Sequence, residues 1–145
     1  MPSSVKEAAA AQKNFDLGEQ LKDQGNLDLA IEKYNLAVRL TPDNVQALNQ
    51  LAAAYEAQEK WDEAVNCYQR IIGLIPANPK TYLQLGRALR QQNKLYGAVA
   101  AFQQAVELKQ DVGAGVYKEL GDVLDRLPVV LPGTSDPRTA ENARP

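Results

Sequence analysis

Residues 30–44 read AIEKYNLAVRLTPDN, residues 64–78 read AVNCYQRIIGLIPAN and residues 98–112 read AVAAFQQAVELKQDV. Ala30, Ala64 and Ala98 open these stretches 34 positions apart (30 + 34 = 64, 64 + 34 = 98), and each is followed four residues on by an aromatic: Tyr34, Tyr68 and Phe102. A third position, Ala37, Ile71 and Ala105, continues the row. Side chains three and four apart share one face of a helix, so the recurring row is one helical face with the same packing task each time.

A second apolar face precedes each of these helices. Leu17-Gly18 with Leu21, Leu51-Ala52 with Tyr55, and Leu85-Gly86 with Leu89 keep the same interval and face the partner helix. Gly25-Asn26, Glu59-Lys60 and Asn93-Lys94 mark tight turns between the paired helices, while Pro42, Pro76 and Pro79, beside Asp or Asn suited to N-capping, mark the longer resets. Strand-like alternation never lasts beyond a few residues, so the fold class is all-α. Three helical hairpins follow, over 11–44, 45–78 and 79–113. Gly18, Ala52 and Gly86, opposite Ala30, Ala64 and Ala98, let two backbones approach closely, with the larger residues filling the space beside them.

Ser4 and Glu7 have the spacing of a capping box, which extends the first helix backward through the alanines at 8–11 and makes 1–10 an N-terminal extension. A terminal helix over 114–127 repeats the first-helix pattern through Tyr117, Leu120, Gly121 and Leu124, starting one residue late. Beyond it, 128–145 holds four prolines and no helical period, the composition of a disordered tail.

The Leu-Gly, Tyr, Ala, aromatic and Pro signature at this period resembles the tetratricopeptide repeat from residue 11 to about 113. Departures are Asn14 and Leu48 at a first-helix position that is aromatic only at Tyr82, Ala52 in place of Gly, and Gln110 in place of Pro. The resemblance implies a right-handed α-solenoid of three hairpins with a C-terminal capping helix. It also implies a concave groove lined by first helices, which binds peptides.

The groove positions this implies are Phe15 and Glu19, then Asn49 and Gln50, then Lys80, Gln84, Arg87 and Arg90, running from acidic through neutral amide to basic. The amides donate and accept toward a peptide backbone, and the guanidiniums suit a carboxylate held bidentately. Some members of the family hold a chaperone's carboxyl terminus in a clamp whose positions here are Phe15, Glu19, Gln50, Lys80 and Gln84. Only Lys80 agrees with that clamp, and Glu19 would repel the carboxylate, so a chaperone cofactor is not implied.

Composition excludes other classes. With 45% hydrophobic and 23% charged residues the chain is globular, and 16 basic against 18 acidic residues leave a net charge of −2 with no basic cluster for nucleic acid. There is no histidine, which removes the commonest general base and metal ligand, and no phosphate loop or nucleophile elbow accompanies the remaining carboxylates. The lone Cys67 makes no internal disulfide and reads as a small, semi-buried filler. With no signal-peptide core and no apolar run of about 20 residues, the reading is a soluble, cytoplasmic protein without membrane insertion. No enzyme activity and no cofactor are expected.

One face of the terminal helix departs from the earlier first helices. Val116, Val123 and Leu127 stand where those helices carry residues such as Lys13, Gln20, Ala47, Ala54, Thr81 and Ala88, and would form an uncovered apolar stripe. Candidate covers are Val129-Val130-Leu131 of the tail, a second copy making a homo-oligomer, or further repeats of a longer protein; the last two are favoured because the tripeptide buries little area. The functional expectation is a non-catalytic protein-interaction module, an adaptor or scaffold holding a peptide or protein segment. The alternative is the regulatory or scaffolding arm of a larger enzyme such as a glycosyltransferase.

Overall fold

A computed structural model describes residues 4–109 and 113–128. It contains seven α-helices among the described residues: α1 (Val5–Asp23), α2 (Leu27–Leu40), α3 (Val45–Ala57), α4 (Trp61–Leu74), α5 (Pro79–Gln91), α6 (Leu95–Leu108) and α7 (Ala114–Arg126). Successive helices pack on one another, α1 with α2, α3 with α4 and α5 with α6 as hairpins, and α7 against α6. The architecture is an all-α solenoid. Residues 129–145, most of the segment read as a disordered tail, lie outside the described residues.

The first helix of each hairpin stops in the same way. Gly25, Glu59 and Asn93 adopt φ of 80°, 58° and 58°, the left-handed region. The amide of the next residue then reaches back to the carbonyl five positions earlier: Asn26 to Leu21 at 2.8 Å, Lys60 to Tyr55 at 2.9 Å and Lys94 to Leu89 at 2.9 Å. Gly25, Glu59 and Asn93 themselves donate to Lys22, Glu56 and Arg90, each at 2.9 Å. Both bonds of a Schellman motif are thus made three times, satisfying carbonyls that the helix end would leave orphaned.

Helix starts are capped where the chain makes its longer resets. Ser4 accepts from the Glu7 amide at 3.1 Å while Glu7 accepts from the Ser4 amide at 3.3 Å, a complete capping box. Asn44 caps α3 by accepting from the Ala47 amide at 3.1 Å, and Asn78 caps α5 by accepting from the Lys80 amide at 3.0 Å with Pro79 at the first helical position.

The core is a column of aromatics in slots. Tyr34, Tyr68 and Phe102 are among the largest fully buried side chains, each lying over the small residue of its first helix. A Cβ placed on Gly18 would come within 2.6 Å of Tyr34 Cε1, and one on Gly86 within 2.6 Å of Phe102 Cε1. Both slots therefore accept only glycine without displacing a ring. In the middle hairpin Ala52 occupies the slot with its own methyl. There the Tyr68 hydroxyl donates to Glu56 at 2.7 Å, about one helical turn further along than the register of Glu19, the acceptor for Tyr34.

Between hairpins the joints repeat as well. Ala47, Ala54, Thr81 and Ala88 are buried, on the side of the first helices where α3 meets α2 and α5 meets α4. At the edge of these joints Gln58 donates to Asp28 at 2.5 Å and Gln92 donates to Asp62. At the last joint Arg126 donates to Asn93 Oδ1 at 3.0 Å instead.

This joint corrects the reading of α7. Val116 and Val123 are 3% and 0% exposed, and Leu127 is half-buried, so they form no open stripe. Their register is that of Ala47, Ala54, Thr81 and Ala88, and Val123 joins Ala98, Phe102 and Leu89 in the last part of the core. The equivalent positions of α1, Lys13, Gln20 and Gln24, are exposed, and no hairpin among the described residues packs on that side. The open side of α7 is the neighbouring one, where Tyr117 and Leu124 are exposed and nothing lies within 4 Å of a Cβ built on Gly121.

Candidate functional site: the recess between the first helices

Asn49, Gln50, Lys80 and Gln84 line one recess of about 540 Å³, together with Val45, Gln46, Ala53, Asn78 and Thr81. The lining comes from α3, α5 and the cap of α5, so the helix-start chemistry and the recess share Asn78. Capping fixes where α5 begins and hence where Lys80 and Gln84, one turn apart, emerge. The walls are mostly amides, a hydroxyl and one ammonium.

The first hairpin extends this polar lining. Lys22 Nζ donates to Gln50 Oε1 at 3.0 Å and lies 3.4 Å from both oxygens of Glu19. Glu19 also accepts from the Tyr34 hydroxyl. Burial, then the hydrogen bond to Glu19, holds the Tyr34 hydroxyl far above the usual tyrosine range, so it remains a donor. Burial and then Glu56 do the same for Tyr68. The acidic end read from sequence is thus tied down by a phenol and an ammonium.

Phe15 does not belong to the recess lining. It is 6% exposed and packs against Tyr34 with ring centroids 5.8 Å apart at 50°, within the main core. A phenyl ring at this register leans into the hairpin, whereas the amide of Asn49 at the same register stays in the recess.

The third hairpin reverses the chemistry. Phe102 brings no hydroxyl to the slot, and Arg87 and Arg90 replace carboxylates on the facing helix. Both guanidiniums are already engaged by Glu119 of α7. Arg87 Nε donates to Glu119 Oε1 and Oε2 at 3.0 and 2.9 Å, its Nη2 donates to Oε1 at 2.5 Å, and Arg90 Nη1 lies 3.5 Å from Oε2. Glu119 lies below the ordinary carboxylate range, chiefly because Arg87 donates to it, and Arg87 is raised by the same bond.

Glu119 was not among the residues singled out by sequence. Its signal is positional: allowing for the one-residue offset of α7, it takes the register of Gln84 and Gln50 (119 − 35 = 84, 84 − 34 = 50). Asp28 and Asp62 were likewise missed, and they recur 34 apart on second helices, within reach of Gln58 and Gln92. Cys67 is buried beside Asn35, Leu51, Tyr55 and Arg70, and burial pushes its thiol up to about 11.

Models of the tetratricopeptide repeat match residues 18–59, 45–88 and 79–112, in overlapping sequence along the array. The chain belongs to the tetratricopeptide repeat family. Among solved structures it is similar to MamA, at 26% identity and a TM-score of 0.75, covering 81% of this chain and 63% of that one. It is similar to the N-terminal domain of stress-induced protein-1 (STI-1) from C. elegans, at 24% identity and a TM-score of 0.74, over 83% of this chain and 99% of that one. The first TPR of Spaghetti (RPAP3), bound to the HSP90 peptide SRMEEVD, is 23% identical with a TM-score of 0.72, over 82% of this chain and 94% of that one. No curated protein matches the sequence. As a member of this family the chain is a protein-interaction module. No helix among the described residues is long and apolar enough to cross a membrane.

Proposed function

We propose that the recess between α3 and α5 holds a segment of a partner protein, with backbone groups of the segment meeting Asn49, Gln50 and Gln84 and an acidic side chain or carboxylate meeting Lys80. The observation that carries this reading is the convergence of those four side chains on one polar cavity of about 540 Å³, a volume suited to a few residues of peptide. Amide side chains supply both donors and acceptors, which is what an unpaired peptide backbone requires.

A carboxylate beside Lys80 and an amide-lined path suit an acidic segment in extended form. The Spaghetti structure holds a peptide with adjacent glutamates, and this chain meets the chaperone clamp only at Lys80, so the segment proposed is acidic without being that terminus. The role is adaptor or scaffold, with no reaction assigned.

The test is a selection of binding peptides from a random displayed library, followed by amide shift mapping. Shifts are expected to concentrate on α3 and α5, and Lys80→Glu is expected to weaken the selected peptides at least about tenfold. Selected peptides that shift only α4 and α6, or that bind Lys80→Glu equally well, would overturn the reading.

A further inference from the structure

We infer that Arg87 and Arg90 form a carboxylate-binding site whose resident occupant is Glu119, so that α7 supplies an internal competitor for the acidic part of the partner segment. The inference rests on the reading of the recess above and adds its regulation.

The geometry is that of ligand recognition rather than of a surface ion pair. Arg87 offers two donors to one carboxylate in the fork arrangement typical of guanidinium recognition, and Arg90 approaches the second oxygen at 3.5 Å. Two guanidiniums facing one carboxylate leave an unbalanced positive charge, and Lys80 on the same helix adds to it. Among the described residues, Glu56 is the further carboxylate that acts on Arg87, and it is held by the Tyr68 hydroxyl. With Glu119 turned away, Glu56 still offsets one of the two guanidiniums, and the other, with Lys80, is left to meet an incoming carboxylate.

Exchange does not require α7 to leave. Its anchoring to the array is apolar, through the buried Val116 and Val123, which flank Glu119 by one turn on either side and hold the helix without using its carboxylate. Rotation of the Glu119 side chain alone vacates the guanidiniums. Arg87 is 48% exposed along its side chain, so a partner reaches it from solvent. Since one carboxylate replaces another, the exchange is nearly balanced, and the resident group lowers the apparent affinity by the fraction of time it occupies the site.

The experiment uses an N-acetylated, fluorescently labelled hexaglutamate peptide as probe, with anisotropy measured at low salt. Glu119→Gln is expected to bind it about fivefold to tenfold more tightly than the parent chain. Adding Arg87→Gln to that variant is expected to abolish the gain. Asp122→Asn makes the same change in net charge on the same helix, at a side chain 59% exposed and paired with Lys118 at 3.8 Å, and is expected to change nothing.

An unchanged affinity in Glu119→Gln, or an equal gain in Asp122→Asn, would overturn the inference. A measurement on the unaltered chain guards against misfolded variants: the Arg87 Nε–H resonance is expected to shift saturably as hexaglutamate is added, and a resonance that stays fixed at saturation would also overturn it. The two readings fail separately, because loss of the recess reading shows in Lys80→Glu with selected peptides, whereas loss of the competitor shows only in the Glu119 and Arg87 measurements.

Discussion

Replacing Gly86 with alanine and replacing Gly121 with alanine should move stability in opposite directions, although both glycines hold the same register of a first helix. At Gly86 the new methyl would sit 2.6 Å from Phe102 Cε1 and 2.7 Å from Cδ1. Carbon atoms prefer to be about 3.5–4.0 Å apart, so the ring must retreat by roughly 1 Å. Phe102 is fully buried, with Ala98, Leu89 and Val123 in the same cluster, and has no free space to enter. Overpacking of this kind costs about 1–3 kcal/mol, against a helix-propensity gain of about 1 kcal/mol for Gly to Ala. The expected net loss is about 1 kcal/mol, a fall in Tm of about 4 °C for a chain of this size. At Gly121 nothing lies within 4 Å, so only the propensity gain remains and helix α7 should be stabilised by up to about 1 kcal/mol. Thermal unfolding followed by circular dichroism reads the first variant, and hydrogen exchange of the α7 amides reads the second. A Gly86→Ala chain as stable as the parent would refute the slot argument, as would two variants that shift in the same direction.

Three further outcomes follow from the geometry. Glu59 holds φ of 58°, a conformation that costs a side-chain-bearing residue about 1–2 kcal/mol, so Glu59→Gly should raise Tm by a few degrees once the added freedom of the unfolded chain, about 0.4–1 kcal/mol, is subtracted. The folded state depresses the Glu119 carboxyl, so its contribution to stability is full above the ordinary glutamate value of about 4.3 and is lost as pH falls through the lower folded value. Acid titration of α7 helicity should show this loss in the parent chain and not in Glu119→Gln. With its thiol pushed up to about 11, Cys67 is thiolate in about one molecule in a thousand at pH 8, and the native chain should react with a disulfide reagent at least about a hundredfold more slowly than the urea-unfolded chain.

The hairpins were legible because their instructions are local. The alanine-aromatic row, the Leu-Gly pairs and the turn dipeptides are each written within a few residues, and the helices start and stop where those signals stand. What could not be read locally was which side of a first helix meets which neighbour. Val116 and Val123 read as open surface because the earlier first helices carry polar or small residues at that register; Ala47 and Ala88 there are small because they are buried joints. Phe15 escaped for a similar reason, since register alone does not distinguish a ring that leans onto Tyr34 from an amide that stands in the recess. The Arg87–Glu119 contact spans 32 positions between two helices, and only the offset of α7 could have placed its partners together.

The left-handed residue at 25, 59 and 93 has a consequence for how such a chain can lengthen. Each hairpin closes on bonds drawn from its own few neighbours, and the second and third begin from an asparagine that caps without help from afar. A copied block of one period would therefore bring its own fastening with it. Length and the identity of the guest become separate variables, the first altered by duplication and the second by a handful of side chains that no fastening uses.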